Sequence, residues 1–352
     1  MLYILHIIGI TLENYDKFRN CCLFQKESVM EKFTLDFKLQ EYRFNLCENV
    51  YKHLKEYSCS CQFKTEFKRR SHLFVPLNKP RYLEKIGNDE IPADGFIWDL
   101  EDSIPLEQKQ VARDSIGKIP PKPRTVEYIV RINTDDPKEL DKDIKAITEF
   151  PFDSITIPKG ESGAEIAQLM EVIGEDKNYI ITIETLAGLN AIDDIARVLR
   201  KDRDALGFGI GDMSTDIGVE RISTCESPLF QQILGIIALT AKKNGLALFD
   251  SVSAKFNDPQ SSRSEAQQSR HMFGFTGKKL INPKQLESIN LVFSPTISEI
   301  EEHLATLESF LGSADTNAHV VAGEYKGMPA FKAADRQIKK YLRQGYFTPI
   351  NF

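Results

Sequence analysis

No stretch of this chain is both long and apolar enough to cross a bilayer as a helix, which takes about 20 residues. The opening run Met1-Leu2-Tyr3-Ile4-Leu5-His6-Ile7-Ile8-Gly9-Ile10 is too short, and it lacks the basic flank and small-residue cleavage site of a secretory signal. A cytoplasmic location is expected. Positive charge is not in excess either: 45 Lys and Arg against 51 Asp and Glu leave a net charge of −6. That balance argues against nucleic acid or an anionic membrane as the main partner, and is compatible with a local basic pocket for a phosphorylated ligand. The six cysteines include no Cys-x-x-Cys pair, which disfavours a zinc module. Five of them (Cys21, Cys22, Cys47, Cys59, Cys61) fall in the first 61 residues and only Cys225 lies later, as expected of a reduced cytosolic chain with incidental thiols. The six histidines show no ligand spacing. No G-x-S-x-G elbow or Ser/His/Asp order is present, so a serine hydrolase is disfavoured. Gly207-Phe208-Gly209-Ile210-Gly211-Asp212 is glycine-rich without being a G-x-G-x-x-G dinucleotide fingerprint; its glycines are expected to let the backbone crowd a site.

What the chain does have is eight short strand-type runs. They are residues 72–76, 95–100, 127–133, 154–159, 179–185, 205–212, 247–251 and 278–283, beginning 23 to 42 residues apart. Helix-like stretches fill most of the gaps, at 105–118, 137–150, 163–173, 186–200, 226–244 and 259–273. Strand and helix in alternation imply parallel strands with crossover helices. Eight such units predict a closed (β/α)8 TIM barrel, whose active site lies at the C-terminal ends of the strands. A further helix is predicted to about Leu311, with Thr296 or Ser298 as N-cap. Residues 1–68 lack this rhythm and form an N-terminal extension; 69–311 form the barrel and its last helix; 312–352 form a tail with a helix over 331–343.

The strand ends carry the polar residues that suggest chemistry. Glu184 and Asp212 end neighbouring strands, close enough for two carboxylates to share a hard cation such as magnesium, which is commonly held by one or two carboxylates plus water and substrate. Two acidic residues paired with neighbours at a wet mouth are the alternative. Arg131 ends the apolar run Tyr128-Ile129-Val130-Arg131-Ile132-Asn133 and needs a compensating anion. That anion is either a nearby carboxylate, Glu184 or Glu101, or a substrate oxyanion suited to its planar fork. Asp99, Glu101 and Asp102 crowd the end of the second strand, where alternation puts the first two on one side; each is either a site residue or a helix cap.

Taken in order, the motifs resemble the citrate lyase β-subunit-like branch of the HpcH/HpaI aldolase family. The matching stretches are Arg70-Ser71-His72-Leu73-Phe74-Val75-Pro76, Trp98-Asp99-Leu100-Glu101-Asp102-Ser103 with Lys109 and Arg113, Val130-Arg131-Ile132-Asn133 and Ile157-Pro158-Lys159. Ile183-Glu184-Thr185 with Gly188, Gly211-Asp212 with Asp216-Ile217-Gly218, Gly274-Phe275-Thr276-Gly277-Lys278 and Leu280-Ile281-Asn282-Pro283-Lys284-Gln285 complete the set. The resemblance implies a TIM barrel that cleaves or forms a carbon–carbon bond in a 3-hydroxy-3-carboxy acyl thioester of the citryl, citramalyl or malyl type, carried on CoA or an acyl carrier protein. It implies Mg2+ held by Glu184 and Asp212. Arg131 would stabilise developing negative charge, supported by Glu101 and Asp102. Arg70, Pro76, Asn78, Lys159, Thr185 and Gly211 would bind substrate, in a homo-oligomer (trimer or hexamer). Two positions depart from the family pattern. Leu77 stands where many relatives have glycine, and Gly327 stands where a tail aspartate often acts as acid or base. The rival readings are a malyl-type CoA thioesterase or a 2-keto acid aldolase on the same metal site, and a non-catalytic or carrier-docked subunit of a multienzyme assembly.

Overall fold

The computed structural model describes residues 42–60, 67–87, 91–123, 125–253, 255–313 and 318–350. The opening apolar run and Cys21, Cys22 and Cys61 lie outside the described residues. The described chain divides into two compact units, one of residues 67–294 and one drawn from both ends of the sequence.

The first element, β1 (Tyr42–Asn45), is followed by α1 (Glu48–Ser60); both belong to the second unit. The eight strands of residues 67–294 are β2 (Ser71–Pro76), β3 (Gly95–Asp99), β4 (Glu127–Arg131), β5 (Ser154–Ile157), β6 (Asn178–Ile183), β7 (Ala205–Phe208), β8 (Ala247–Asp250) and β9 (Gly277–Leu280). They form a closed parallel barrel in sequence order. β9 closes onto β2 through Ser71↔Lys278, His72↔Lys279 and Leu73↔Leu280. The helices between them are α2 (Pro80–Gly87), α3 (Lys109–Asp114), α4 (Pro137–Ile147), α5 (Gly163–Ile173), α6 (Leu186–Asn190), α7 (Ile192–Val198), α8 (Ile210–Ile217), α9 (Pro228–Asn244) and α10 (Pro259–Gln268), with α11 (Leu286–Phe293) after the last strand. This is the predicted TIM barrel.

Two periodicities in the strands build two cores. Residues of one parity, among them Ile97, Ile129, Ile180, Ala205 and Phe249, meet one another inside the barrel. Those of the other parity, including Trp98, Tyr128, Val130, Ile181, Ile183, Leu206, Phe208 and Leu248, pack outward with the buried faces of the helices. Because both faces are covered, the strands read as nearly continuous apolar runs. Several helices begin where the sequence supplies a cap followed by proline, whose missing N–H is no loss in the first turn. Asp136, Ser227 and Asp258 play this part for α4, α9 and α10.

Some boundaries differ from the sequence reading. The stretch 105–118 is not one helix but α3 flanked by two 3-10 turns, Leu106–Gln108 and Ile116–Lys118. Residues 186–200 divide at Ala191 into α6 and α7. The sixth strand stops at Phe208, so Asp212 sits in the first turn of α8 rather than at the strand's end.

In the second unit, α12 (Ile297–Leu311) starts from Thr296, whose side chain and that of Glu299 form a reciprocal capping box. Then come the hairpin β10 (Ala318–Val321) and β11 (Glu324–Gly327), α13 (Met328–Arg343) and β12 (Phe347–Ile350). β12 pairs in parallel with β1. The core of this unit joins Phe44, Leu46, Val50 and Leu54 to Ile300, Leu304 and Leu307 of α12 and Ala334 and Ile338 of α13. This redraws the partition expected at 68/69 and 311/312. The apolar stripe of α12 is shared with α1 and α13, so the barrel unit stops at Ser294.

Candidate active site

Parallel strands place all eight C-terminal ends on one rim, and a cavity of about 570 Å³ opens there. Its lining includes Pro76, Asp99, Asp102, Ser103, Arg131, Thr182, Glu184, Gly211, Asp212, Arg221, Ser251 and Lys279. Of the residues singled out from sequence, Arg131, Asp102, Glu184, Asp212, Pro76 and Gly211 therefore share one mouth.

The strand register fixes Arg131 beside Asp99, its partner across β3 and β4. The guanidinium donates to Asp99 through Nε at 2.7 Å and Nη2 at 2.6 Å, a bidentate fork. Nη1 lies 2.9 Å from Glu101 Oε2 and 3.4 Å from Asp102 Oδ2. The face of the guanidinium rests on the Phe74 ring, 4.8 Å from its centroid. Arg131 is thus paired with Asp99 and Glu101, not with Glu184. Burial pushes the Asp99 carboxyl up, but the charge and N–H groups of Arg131 outweigh it and hold Asp99 below its ordinary value. Asp99 also accepts the backbone N–H groups of Glu101 and Ser103 at 3.0 and 3.2 Å, which shapes the loop carrying Glu101 and Asp102. Lys109 braces the same loop by donating to the carbonyls of Leu100 and Glu101 and to Asn133 Oδ1.

Glu101 is in a different position. Burial raises its carboxyl, Arg131 opposes the rise and Asp102 adds to it, and the outcome is a pKa of about 8. Glu101 stands beside Arg131 but does not line the cavity.

Glu184 follows β6 and is 6% exposed, so its charge needs local support. One oxygen accepts the backbone N–H of Lys159 at 2.8 Å. Lys159 takes a left-handed conformation, with φ of 46°, uncommon for a residue with a side chain. That turn aims its N–H at the carboxylate. Its ammonium pairs instead with Asp135 and stands 3.9 Å from Glu101. The other Glu184 oxygen fits against Gly209, where any Cβ would collide with it. Burial pushes Glu184 up, the charge of Lys279 resists, and Asp212 adds to the rise.

Two carboxylates whose negative charges oppose each other at a cavity wall suit a divalent cation. Among the described residues no third Asp, Glu, His or Cys completes a closed ligand cluster with them. This donor set fits magnesium, which keeps open positions for water and substrate oxygens, and does not resemble a closed structural zinc site.

Other expected residues lie elsewhere. Arg70 precedes β2, at the opposite rim. It is locked to Asp94 (Nε–Oδ2 2.7 Å) and donates to Ser294 at 2.7 Å, so it has no place at the mouth. Thr185 caps α6, accepting from Gly188 N at 3.0 Å and donating to Glu161. Asn78 donates to Gln108 at 2.6 Å, and neither residue lines the large cavity. Leu77 is fully buried in the outer core and does not line the cavity. Gly327 ends β11 and caps α13 without a side chain. Nearby, Glu324 pairs with Lys326, and Asp335 with His53 and Lys339.

Thr182, Arg221, Ser251 and Lys279 were not singled out from sequence. For Lys279 a signal existed: Lys278-Lys279 interrupts an apolar strand, and alternation must send one ammonium inward.

Comparison with known proteins agrees with this construction. Residues 70–283 match the family described as HpcH/HpaI aldolase/citrate lyase. The chain is 29% identical over 287 residues to the citrate lyase subunit beta of Leuconostoc mesenteroides subsp. cremoris, covering 77% of this chain and 92% of the relative. It is 34% identical over 241 residues to a (3S)-malyl-CoA thioesterase of Cereibacter sphaeroides, covering 66% and 79%. Its fold matches that of CitE from Mycobacterium tuberculosis, solved with magnesium, acetoacetate and coenzyme A, at a TM-score of 0.64 and 22% identity over 79% of this chain and 98% of that one. With the barrel, the mouth and the matched span in agreement, the chain belongs to the HpcH/HpaI aldolase/citrate lyase family.

Proposed function

We propose that this protein is a magnesium-dependent carbon–carbon lyase that splits a 3-hydroxy-3-carboxy acyl thioester, of the citryl, citramalyl or malyl class, into a keto acid and a shorter acyl thioester. The observation that carries the reading is the meeting of Glu184, Asp212 and Arg131 on one cavity wall. Relatives that include a citrate lyase β subunit and a CitE solved with magnesium and coenzyme A support the substrate class and the ion. Glu184 and Asp212 would hold Mg2+, which supplies Lewis-acid polarisation of the substrate oxygens it touches.

The reaction is a retro-aldol in which this chain supplies charge stabilisation. The hydroxyl proton passes to solvent water, the bond between the carbinol carbon and the thioester α-carbon breaks, its electron pair becomes a thioester enolate, and a proton from water returns to the enolate carbon. Arg131, fixed by Asp99, places a positive charge that cannot be titrated away beside that developing anion. Glu101 and Asp102 support Arg131, lying 2.9 and 3.4 Å from its Nη1. The acyl carrier, CoA or a carrier protein, is left to experiment.

Incubation of the purified protein with Mg2+ and citryl-, citramalyl- or malyl-CoA, read by mass spectrometry, tests this. A shortened thioester plus a keto acid, lost on chelation, is expected. The likeness to a (3S)-malyl-CoA thioesterase favours a second reading. Free CoA with an intact hydroxy acid would establish that one and overturn the lyase.

A further inference from the structure

β9 carries two adjacent buried lysines with opposite fates. Lys278 faces outward and is fully paired, 2.6 Å from Asp250 Oδ2 and 3.2 Å from Glu265 Oε2. Lys279 faces inward, is 5% exposed, and lines the cavity. Its Nζ donates to the Thr182 hydroxyl at 2.8 Å. Among the described residues no carboxylate comes within 4.0 Å of it. An ammonium has three donors, so a buried cation is left with donors to spare at the wall of an open pocket.

The fold makes room for this arrangement. Gly207 on β7 lies where a Cβ would stand 2.8 Å from the Lys279 Nζ. Burial lowers the Lys279 pKa to about 8. Glu184 pulls it back up, Arg131 pushes it down, and Glu101 and Asp250 act more weakly in the same sense as Glu184. Burying a cation without a hydrogen-bonded anion is costly, and folding does not require it here. A group retained at such a cost, aimed into a cavity, calls for a negatively charged ligand.

We propose that Lys279, anchored by Thr182, forms a carboxylate-binding subsite on the floor of the mouth, and that it takes the carboxylate of the small keto acid released by the reaction. The inference rests on the lyase reading for the identity of the ligand. The subsite lies directly beneath the level of Glu184, since Thr182 and Glu184 are alternate residues of one chain segment on the same face. A keto acid seated there has its carboxylate on the ammonium and its carbonyl turned toward the carboxylate pair and Arg131.

Isothermal titration of the full chain in Mg2+ with pyruvate, glyoxylate and oxaloacetate tests the subsite, with uncharged methyl pyruvate as control. Lys279→Met is expected to weaken keto acid binding at least tenfold and to shrink the preference for pyruvate over methyl pyruvate by a similar factor. Acetyl-CoA binding should stay unchanged. Thr182→Val keeps the charge, loses its anchor, and should give a smaller loss of the same kind. Keto acid affinity unchanged within twofold in Lys279→Met would overturn the subsite and leave the lyase reading standing. Failure of the unaltered protein to bind any of the three keto acids would overturn both.

Discussion

Arg131 shows how much of a side chain's function depends on what already holds it. Its fork is committed to Asp99 on one edge and shared with Glu101 on another, so the charge it would offer a substrate is both permanent and immobile. Arg131→Lys should therefore lower kcat at least 100-fold with a smaller change in KM, as measured by steady-state kinetics; equal losses in both would indicate simple binding. Glu184→Gln or Asp212→Asn should abolish Mg2+-dependent turnover while circular dichroism stays that of the unaltered barrel. Unchanged turnover would sink the metal assignment. Lys279 bears on stability as well. Its folded pKa of about 8 lies below the ordinary value of 10.5, so the folded state binds fewer protons across that interval. The penalty is absent above about 10.5, grows as pH falls, and is complete below about 8. Measured against the unaltered protein, Lys279→Met should therefore fare better at pH 7 than at pH 10. Chemical denaturation at pH 7 and pH 10 checks this.

At the scale of elements, the join between β7 and α8 decides the geometry of the mouth. The strand ends early, Gly209 leaves space for Glu184, and the first helical turn carries Gly211 and Asp212. Gly209→Ala should displace the Glu184 carboxylate and weaken Mg2+ binding at least tenfold by calorimetry, with little effect on the fold. Sequence periodicity revealed the eight strands because both strand faces are buried and the runs are nearly unbroken. It also brought Glu184, Asp212 and Arg131 to one rim, since strand direction alone fixes which end a residue occupies. It misjudged Asp212 by one element, because a glycine-rich turn continues an apolar run without a break in pattern. Arg70 was misassigned because a motif match says which residues belong together without saying which rim they face. The ion pair with Asp94 shows a residue that closes the barrel's other end. Lys279 was passed over because a lysine in a strand is ordinarily solvated, although alternation sends one of the two adjacent lysines inward and the closed topology shows which.

At the scale of the molecule, the two units draw on the sequence unequally. The barrel is a contiguous segment, whereas the second unit takes its core from residues far apart, with Val50 and Leu54 of α1 against Leu304, Leu307 and Ile338. Local patterns could not reveal it. Its strands are four residues long, and their partners cannot be inferred from spacing. A chain lacking residues 1–60 should expose the apolar faces of α12 and α13, bind a hydrophobic dye and aggregate on heating, while residues 67–294 alone should keep the barrel's circular dichroism. Unchanged thermal behaviour of the shortened chain would remove α1 from the core.

The parallel pairing of Tyr42–Asn45 with Phe347–Ile350 joins segments about 300 residues apart, and this has a consequence for the order of events during synthesis. Chains emerge from the ribosome amino end first. β1 and α1 are therefore made early and must wait, their apolar side uncovered, while every strand of the barrel is translated. The barrel has all its parts before the second unit has its last strand. Over that interval the apolar side of α1 is open to chaperones or to neighbouring chains on the same messenger, and a pause late in translation would lengthen the exposure.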